Sequence, residues 1–373
     1  MFPLLLLFLP FVYFFFLLLA FQGWEKIPTP IFSSIGSLPT VSIIIAARNE
    51  EKNIEKILND LFRQRYKAAF EIIVVNDRSS DRTELLINLF KDNHSSFPLQ
   101  IISPVQGNGK KNAISYGVSV AQNEIILATD ADCRMGPNWI TELTSPFKNK
   151  RIKLVFGPVL IKPEGFFGNF QSFELSTLNG IGAVSLASGK PGMINGANMA
   201  YRKDVFEKVN GFSGNEHIPS GDDEFLLAKV FEDSPKGIIY VKSPDALVTT
   251  PAEKSLSRFV SQRKRWAAKW NKHHNKWPAI IVFIFNIYFL GLWMGIPFGL
   301  ASAKLFITSF YLKCIGELLF VYEIRKSLKV KTLWIYFIVS SFLYPFYATL
   351  MGIVTNFGTY QWKERKYSVK IKP

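Results

Sequence analysis

The chain has 373 residues, of which 48% are hydrophobic and 20% are charged, and its formal net charge is +15. This length allows a sizeable core plus additional segments, and two cysteines, Cys133 and Cys314, exclude a disulfide framework and a cysteine-based zinc site. Much of the excess positive charge lies beside apolar segments, where anionic lipid head groups attract Lys and Arg, so we expect membrane lipids and no nucleic acid as partners.

The first 24 residues contain no charged side chain and are long enough as a helix to cross a bilayer core of about 30 Å. A cleaved signal peptide is the alternative interpretation. The segment lacks a basic start and a convincing small-x-small cleavage site, which favours a retained anchor. We therefore predict an N-terminal transmembrane helix over residues 1–23.

Short apolar runs alternate with amphipathic stretches through the middle of the chain, which we predict to be one domain over residues 38–250. Runs 41–46, 72–75, 99–102 and 124–128 read as strands, and 50–62, 81–90 and 110–120 read as helices. This alternation predicts an α/β fold with a parallel sheet and right-handed crossovers.

Polar residues follow each of the four predicted strands, at 47–51, 76–81, 107–111 and 129–132. The carboxyl ends of parallel strands meet at one sheet edge, where open α/β sheets bind ligands. The glycine-rich basic turn before Lys110 suits an anionic diphosphate, and Asp77 could accept hydrogen bonds from a base or ribose. Each group alone could be an ordinary helix cap or solvated surface; their convergence is what indicates a site.

Two carboxylates, Asp130 and Asp132, follow the fourth predicted strand. Residues i and i+2 of a strand point to the same side, so a strand leaving the sheet here would present both acids together. Such a pair can hold Mg²⁺ or Mn²⁺ against a diphosphate. An isolated Asp-x-Asp is more often a turn or a cap, so this interpretation depends on the neighbouring strand ends.

Three acids, Asp222, Asp223 and Glu224, precede a predicted helical run over 225–231. They could simply complement the helix dipole. Alternatively, a carboxylate held beside a metal site could act as a general base toward an attacking hydroxyl.

The stretch 251–277 is basic and aromatic and is predicted to form an interfacial amphipathic helix. Gln262, Arg265 and Trp266 fall at i, i+3 and i+4, so a helix would place them on one face. The opposite face could lie among lipid head groups, and both interpretations can hold for one helix.

About three more membrane segments are predicted over residues 278–357, followed by a basic tail over 358–373. The middle segment carries Lys313 and Glu317, which would be costly facing lipid, so it either packs inside a bundle or lies at the interface. The basic loop 325–331 falls inside if the central domain is cytoplasmic. The tail would then fall outside if all three segments span, so one of them could be interfacial or re-entrant, with Pro345 a possible break in the last.

Taken in order, these motifs resemble those of membrane-embedded glycosyltransferase family 2, the group that includes cellulose, hyaluronan and poly-N-acetylglucosamine synthases and ceramide glucosyltransferase-like enzymes. The resemblance covers residues 41–266 and implies a GT-A fold, a nucleotide-binding α/β sheet flanked by transmembrane helices.

The resemblance also implies roles for individual residues. Ala47, Asn49 and Asp77 match nucleotide-binding positions, as does Lys110. Asp130 and Asp132 match the metal and diphosphate motif, with Mg²⁺ or Mn²⁺ as the cofactor, and Asp223 matches the catalytic base. Gln262, Arg265 and Trp266 match a motif that closes over the acceptor and the donor diphosphate.

Three positions depart from the family pattern. Asn76 stands where Asp is usual, Arg78 where Gly is usual, and Asp222 where Glu is usual. The chain also has fewer late apolar segments than the polymer synthases. That difference favours addition of one or a few sugars over export of a long polymer.

We therefore expect an integral, multi-pass membrane enzyme with a cytoplasmic catalytic domain, in a bacterial-type inner membrane. It would transfer a sugar with inversion from a nucleotide-diphosphate donor, expected to be UDP-linked, to a hydroxyl of a lipid or glycan. Nucleotidyl transfer is one alternative, but it gives no role to Gln262, Arg265 and Trp266. A non-catalytic nucleotide-sugar-binding membrane scaffold is another, but it predicts a degraded set of acids.

Overall fold

The computed structural model describes residues 2–29, 37–215, 218, 220–268, 277–299, 302–363 and 365–368. The chain divides into two compact units. The sheet unit contains residues 28–162 and 185–251, and the helical unit contains residues 1–27, 163–184 and 252–373. Residues 163–184, within the domain predicted over 38–250, thus cluster with the helical unit.

The sheet unit is built on a seven-stranded sheet whose order is β3-β2-β1-β4-β8-β6-β9. Its strands are β1 (Val41–Ala47), β2 (Phe70–Asn76), β3 (Leu99–Ile102), β4 (Ile125–Asp130), β6 (Leu154–Phe156), β8 (Met199–Arg202) and β9 (Ile238–Tyr240). A second sheet, of order β5-β10-β7, joins β5 (Arg134–Met135), β7 (Val159–Ile161) and β10 (Val248–Thr250).

The first four strands are parallel, as predicted, but the sheet as a whole is mixed. β1 pairs in parallel with β2 and β4, and β2 pairs in parallel with β3. β8 runs antiparallel to both β4 and β6, and the sequence had given no strand prediction for β6 or β8. These two strands have only three and four residues, which is too short for a strand pattern to stand out.

Helices of the sheet unit connect and cover these strands. They are α2 (Ile54–Phe62), α3 (Thr83–Asn93), α4 (Lys110–Val120), α5 (Trp139–Thr144), α7 (Lys203–Lys208) and α8 (Asp222–Asp233). Helix α2 shows why the pattern folds this way, because Ile54, Ile57, Leu58 and Leu61 recur at helical spacing and are all buried. Residues of β1, β2 and β4 are almost entirely buried and form the centre of the core.

The strand register aligns the ends of the three central strands. Ala47 of β1 pairs with Asn76 of β2, and Ala46 pairs with Asp130 of β4. The loops that follow these strands therefore leave the sheet from the same edge, as the alternation of strands and helices predicts.

The helical unit contains α1 (Phe2–Lys26), most of α6 (Gly165–Ala187), α9 (Leu256–Ala267), α10 (Trp277–Gly295), α11 (Ala303–Ser327) and α12 (Trp334–Val354). Within the described part of the chain, three helical stretches are long and apolar enough to cross a membrane: Phe8–Lys26, Ala303–Ser327 and Trp334–Val354. The apolar stretch Ile280–Gly295 of α10 is shorter. Helix α12 runs through Pro345 without ending, so the possible break there is not observed.

Lys313 and Glu317 of the middle late segment lie inside the helical unit. The Lys313 side chain is only 1% exposed, and its Nζ donates to Glu317 Oε2 at 2.8 Å and to the Ser341 carbonyl at 2.9 Å. Tyr13 of α1 donates its hydroxyl to Glu317 Oε1 at 2.9 Å. The two charges of α11 thus pair with each other and contact α1 and α12. Of the two predicted arrangements, packing inside a helical bundle is therefore the one observed.

The described part of the predicted basic tail is a β-hairpin. β11 (Thr359–Trp362) pairs antiparallel with β12 (Arg365–Ser368). Tyr360 is buried against Ala268 at the end of α9, and Tyr367 packs on the same cluster. Residue 364 and residues 369–373 of that predicted tail lie outside the described residues, as do residues 269–276 of the predicted interfacial region.

Candidate active site

The loops after β1 and β2 are cross-linked at the carboxyl edge of the main sheet. Arg48 donates from one guanidinium nitrogen to the carbonyls of Asp77, at 2.8 Å, and Arg78, at 3.1 Å. Asn49 accepts the backbone N–H of Ser80 at 2.9 Å. These contacts hold the two loops that carry Asn49 and Asp77, and the first of these loops follows Ala47 at the end of β1. These three are predicted nucleotide-binding residues.

Two residues of these loops have a left-handed backbone. Asn49 has φ +52° and Arg78 has φ +56°. Asn tolerates this region better than most residues, whereas Arg does not, and glycine is its usual occupant. Arg78 is the position where the family pattern has glycine, so the conformation persists here despite the substitution, at a cost of order 1 kcal/mol.

Asp77 connects the second loop to the glycine-rich turn. Its backbone N–H donates to the Ala47 carbonyl at 2.8 Å, and its Oδ2 accepts the backbone N–H of Gly109 at 3.1 Å. Gly109 has φ +90° and precedes the first residue of α4. Asp77 thus fixes the turn that begins α4, and its predicted contact with a base or ribose stays a prediction.

Lys110 lies between two of the candidate acids. Its Nζ is 2.6 Å from Asp130 Oδ1 and 3.5 Å from Asp222 Oδ2. Burial alone would lower the pKa of Lys110, but the negative charges of Asp130, Asp222 and Asp223 outweigh it and raise that pKa above its ordinary value. The ammonium is therefore charged at neutral pH and links the end of β4 to the start of α8.

Asp132 lies beyond the end of its strand. β4 ends at Asp130, and the Cys133 N–H donates to the Asp130 carbonyl at 3.1 Å, which closes a turn over Ala131 and Asp132. Strand alternation, the reason for which both acids were expected to point to the same side, therefore does not set the direction of the Asp132 side chain. Both acids remain within one turn at the end of β4.

Asp223 lies in the first turn of α8, which begins at Asp222 and therefore starts before the predicted run 225–231. Its Oδ2 accepts the Gly196 N–H at 2.9 Å, and its Oδ1 accepts the Glu224 N–H at 2.8 Å. A Cβ added at Gly196 would lie 3.2 Å from both Asp222 Oδ2 and Asp223 Cβ. Glycine at 196 thus lets the backbone approach these two acids closely.

Gln262, Arg265 and Trp266 belong to α9 in the helical unit, and the helix begins at Leu256 with Ser255 accepting the Arg258 N–H. Gln262 donates its side-chain amide to Glu253 Oε1 at 3.3 Å. Trp266 packs under the guanidinium of Arg263, whose central carbon is 4.3 Å from the ring centroid. The helix places these three residues as the spacing predicts, and their role stays a prediction.

Residues 42–209 match the family model described as Glycosyl transferase family 2. The chain carries a family 2 glycosyltransferase domain. The matched residues include Ala47, Asn49, Asp77, Lys110 and the Asp130/Asp132 pair, whereas Asp223 and the α9 residues lie beyond them.

Two curated relatives illustrate the range of the family. The chain is 25% identical over 257 residues to a poly-beta-1,6-N-acetyl-D-glucosamine synthase from Staphylococcus epidermidis, covering 67% of this chain and 60% of that protein. It is 27% identical over 257 residues to a beta-monoglucosyldiacylglycerol synthase from Trichormus variabilis, covering 66% and 52%. The alignments thus span about half to three fifths of the length of these relatives.

A solved structure shows the same fold. A mannosyltransferase from Pyrobaculum calidifontis, solved with GDP-Man and Mn²⁺, superposes with a TM-score of 0.54 at 17% sequence identity, covering 93% of this chain and 92% of that one. This likeness confirms the predicted GT-A fold, an α/β sheet with apolar helices before and after it in the sequence.

The acids of the family 2 domain fit a hard divalent cation that also takes ligands from a substrate. Among the described residues, no group of three or more His, Cys, Asp and Glu is arranged to hold a metal ion. Asp130 and Asp132 supply two carboxylates, and Mg²⁺-like ions are commonly bound by one or two carboxylates together with substrate phosphates and water. The chemistry of this pair is thus compatible with the predicted cation, and its role as a metal site stays a prediction.

Two residues of the sheet unit had no assigned role from the sequence, although each adjoins a predicted one. Asp222 pairs with Lys110, and Lys111 donates to the Asn215 carbonyl at 2.6 Å and lies 4.8 Å from the Phe225 ring centroid. The doublets Lys110–Lys111 and Asp222–Asp223 were the available signal. The contact between the two doublets joins residues more than 100 positions apart, so it depends on tertiary structure and neither motif predicts it.

Proposed function

We propose that this protein is a membrane-bound inverting glycosyltransferase that transfers a sugar from a nucleoside-diphosphate donor, with UDP-sugars the first candidates, to an acceptor hydroxyl. The observation that carries the proposal is the ion pairing of Lys110 with Asp130 and Asp222 at the carboxyl edge of the sheet, with Asp223 next in the chain. This arrangement brings a cation and three acids to the place where α/β sheets bind nucleotides.

The donor would bind along the loops that follow β1, β2 and β3. The Arg48 contacts hold the backbone of Asp77, and Asp77 in turn holds the Gly109 turn that precedes α4. Backbone N–H groups at the start of a helix favour an anionic phosphate, and Lys110 adds a full positive charge there. Ala47, Asn49 and Asp77 are proposed to contact the nucleotide.

Asp130 and Asp132 would hold a divalent cation, Mg²⁺ or Mn²⁺. When bound, this cation would neutralise the negative charge that develops on the leaving diphosphate. Lys110, already in contact with Asp130, would stabilise the same developing charge through a fixed ammonium. Asp222 orients that lysine from the side of α8.

Asp223 would remove the proton from the acceptor hydroxyl. The acceptor oxygen would attack the anomeric carbon of the donor sugar from the face opposite the leaving nucleoside diphosphate. Two backbone N–H groups, of Gly196 and Glu224, hold one oxygen each of its carboxylate and so fix its direction. A base with a fixed direction is what general-base catalysis requires.

The acceptor is proposed to be a lipid or glycan that resides in or emerges at the membrane. Three helical stretches among the described residues are apolar enough to span a bilayer. Two of the curated relatives are named as a beta-monoglucosyldiacylglycerol synthase and a poly-beta-1,6-N-acetyl-D-glucosamine synthase. The catalytic domain is proposed to be cytoplasmic, in which case the basic residues at the end of α11 and in the loop to α12 would fall inside, as the positive-inside rule prefers. Gln262, Arg265 and Trp266 are proposed to bind the acceptor and the donor diphosphate.

A donor screen with the purified full-length chain in lipid nanodiscs tests this function. We expect release of UDP or GDP from one donor, increased by a membrane lipid extract and dependent on Mn²⁺ or Mg²⁺. Release of pyrophosphate would instead support nucleotidyl transfer. Turnover that is unaffected by a chelator would remove the metal role from Asp130 and Asp132, and binding of a donor without any turnover would favour a non-catalytic scaffold.

A further inference from the structure

Arg263 lies inside the Gln-x-x-Arg-Trp segment but is not one of its three motif residues. Its side chain is 5% exposed, and it faces Glu174 of α6, which is 7% exposed. A buried charge is costly unless it is paired and fully hydrogen-bonded, so a buried arginine beside Gln262 calls for an explanation.

Arg263 is held in a closed triad with residues of two other helices. Its Nε is 3.1 Å from Glu174 Oε2, and a second guanidinium nitrogen forms an ion pair with the same oxygen. Its Nε also donates to the Tyr347 hydroxyl of α12 at 3.0 Å, and that hydroxyl donates to Glu174 Oε1 at 2.6 Å. Although burial lowers the pKa of Arg263, the charge of Glu174 outweighs this effect and raises it.

The other end of the Arg263 guanidinium contacts two of the motif residues. Its remaining terminal nitrogen donates to Gln262 Oε1, while the Gln262 amide nitrogen donates to Glu253. Its flat face lies 4.3 Å from the Trp266 ring centroid and 4.2 Å from that of Phe259. One planar group thus fixes the amide of Gln262 and the indole of Trp266 at the same time.

We propose that Arg263 is a positioning residue: it fixes the side chains of Gln262 and Trp266 against an anchor formed by Glu174 and Tyr347. This inference rests on the proposed function, in which Gln262 and Trp266 bind substrate. Only a planar guanidinium has donors for Glu174, Tyr347 and Gln262 together with a face that stacks on indole. A lysine keeps the positive charge that pairs with Glu174, but it lacks the several fixed N–H donors of the guanidinium and the planar surface that stacks on indole.

The test compares Arg263→Lys with Arg258→Lys, the same substitution at an exposed position of the same helix. We expect kcat for sugar transfer to fall at least about tenfold in Arg263→Lys, because small displacements of substrate-positioning groups reduce rate strongly. The KM for the donor should change less than kcat, and the thermal midpoint should stay within a few degrees. Arg258→Lys should keep the parent kcat.

A readout without turnover separates this inference from the proposed function. The protein has eight Trp, so 5-fluorotryptophan labelling gives a ¹⁹F spectrum in which Trp266→Phe identifies the Trp266 line. That line should shift or broaden in Arg263→Lys and not in Arg258→Lys. If the parent protein transfers no sugar from any donor, the proposed function fails while a shifted Trp266 line still supports the positioning.

Tyr347→Phe keeps the test decisive if Arg263→Lys does not fold. This change removes one hydroxyl from the triad and leaves the ring that packs beside Phe170 and Phe259. We expect a fall in kcat of about two- to fivefold and a smaller change of the Trp266 line. An unchanged kcat together with an unchanged Trp266 line, in whichever variant folds, would overturn the proposal.

Discussion

At the scale of single residues, Lys110 is the centre of the candidate site. It contacts Asp130 and Asp222, and the charge of Asp223 also acts on it. If the partly buried ammonium of Lys110 were removed, these three negative charges would repel each other and an incoming diphosphate. Lys110 therefore links Asp130 and Asp222, and its positive charge is proposed to allow an anionic donor to bind beside these acids.

Lys110→Met should weaken binding of the donor nucleotide by at least about tenfold, the expected result of removing one charge-assisted contact of about 1.5 kcal/mol or more. Isothermal titration calorimetry with UDP and GDP measures this effect. Lys56→Met, at an exposed position of α2, is the matched control and should bind as the parent does. Equal affinity in Lys110→Met and Lys56→Met would show that Lys110 does not contribute to the donor site.

The acids and Lys110 could be predicted individually because each follows a recognisable motif. Their pairing could not, because Asp222 meets Lys110 only through the approach of α8 to α4. Arg78 shows another limit of sequence patterns. A residue type that disfavours φ +56° nevertheless adopts it, held by the Arg48 contact to its carbonyl.

At the scale of elements, α4 carries Lys110 and packs on the central strands through a glycine. A Cβ at Gly117 would lie 2.7 Å from Ile44 Cγ2 and 3.1 Å from Val75 Cγ2. Ile44 and Val75 are fully buried in β1 and β2, so these methyl groups have little room to move. The close approach of α4 to the sheet thus depends on glycine at this position.

Gly117→Ala should lower the free energy of unfolding. Overpacking costs about 1–3 kcal/mol, and the gain in helix propensity returns at most about 1 kcal/mol. Gly136→Ala is the control, since a Cβ there meets nothing within 4 Å. Thermal unfolding of both variants in detergent checks the prediction, and a Gly117→Ala midpoint equal to that of Gly136→Ala would contradict it.

Helices and parallel strands followed well from periodicity, and α4 has the predicted bounds of 110–120. The antiparallel β8 and the hairpin β11–β12 did not follow. β8 has only four residues, Met-Ala-Tyr-Arg, which is too short for a strand pattern to stand out. The strands of the hairpin read Thr-Tyr-Gln-Trp and Arg-Lys-Tyr-Ser, and the packing of Tyr360 beside Ala268 is a tertiary contact that the basic composition of the tail does not predict.

At the scale of the whole molecule, segments that are far apart in sequence form each compact unit. Glu317 of α11 accepts hydrogen bonds from Tyr13 of α1, Lys313 of α11 and Ser341 of α12. Tyr13 and Glu317 are more than 300 residues apart in the sequence. Apolar composition predicted these segments as membrane helices. It could not predict that residues 163–184 belong with them, because α6 mixes apolar and polar residues and lies inside the glycosyltransferase region of the sequence.

The central claim is that the protein transfers a sugar with Asp223 as the base. The most direct measurement compares Asp223→Asn with Asp233→Asn, a change at the other end of the same helix, where Asp233 pairs with Lys208 at the surface. Sugar transfer and donor binding are measured side by side in lipid nanodiscs.

Asp223→Asn should lose transfer by about a hundredfold or more, the usual contribution of a general base, and should keep donor affinity within about twofold. Asp233→Asn should match the parent in both. Full transfer activity in a folded Asp223→Asn protein would contradict the account.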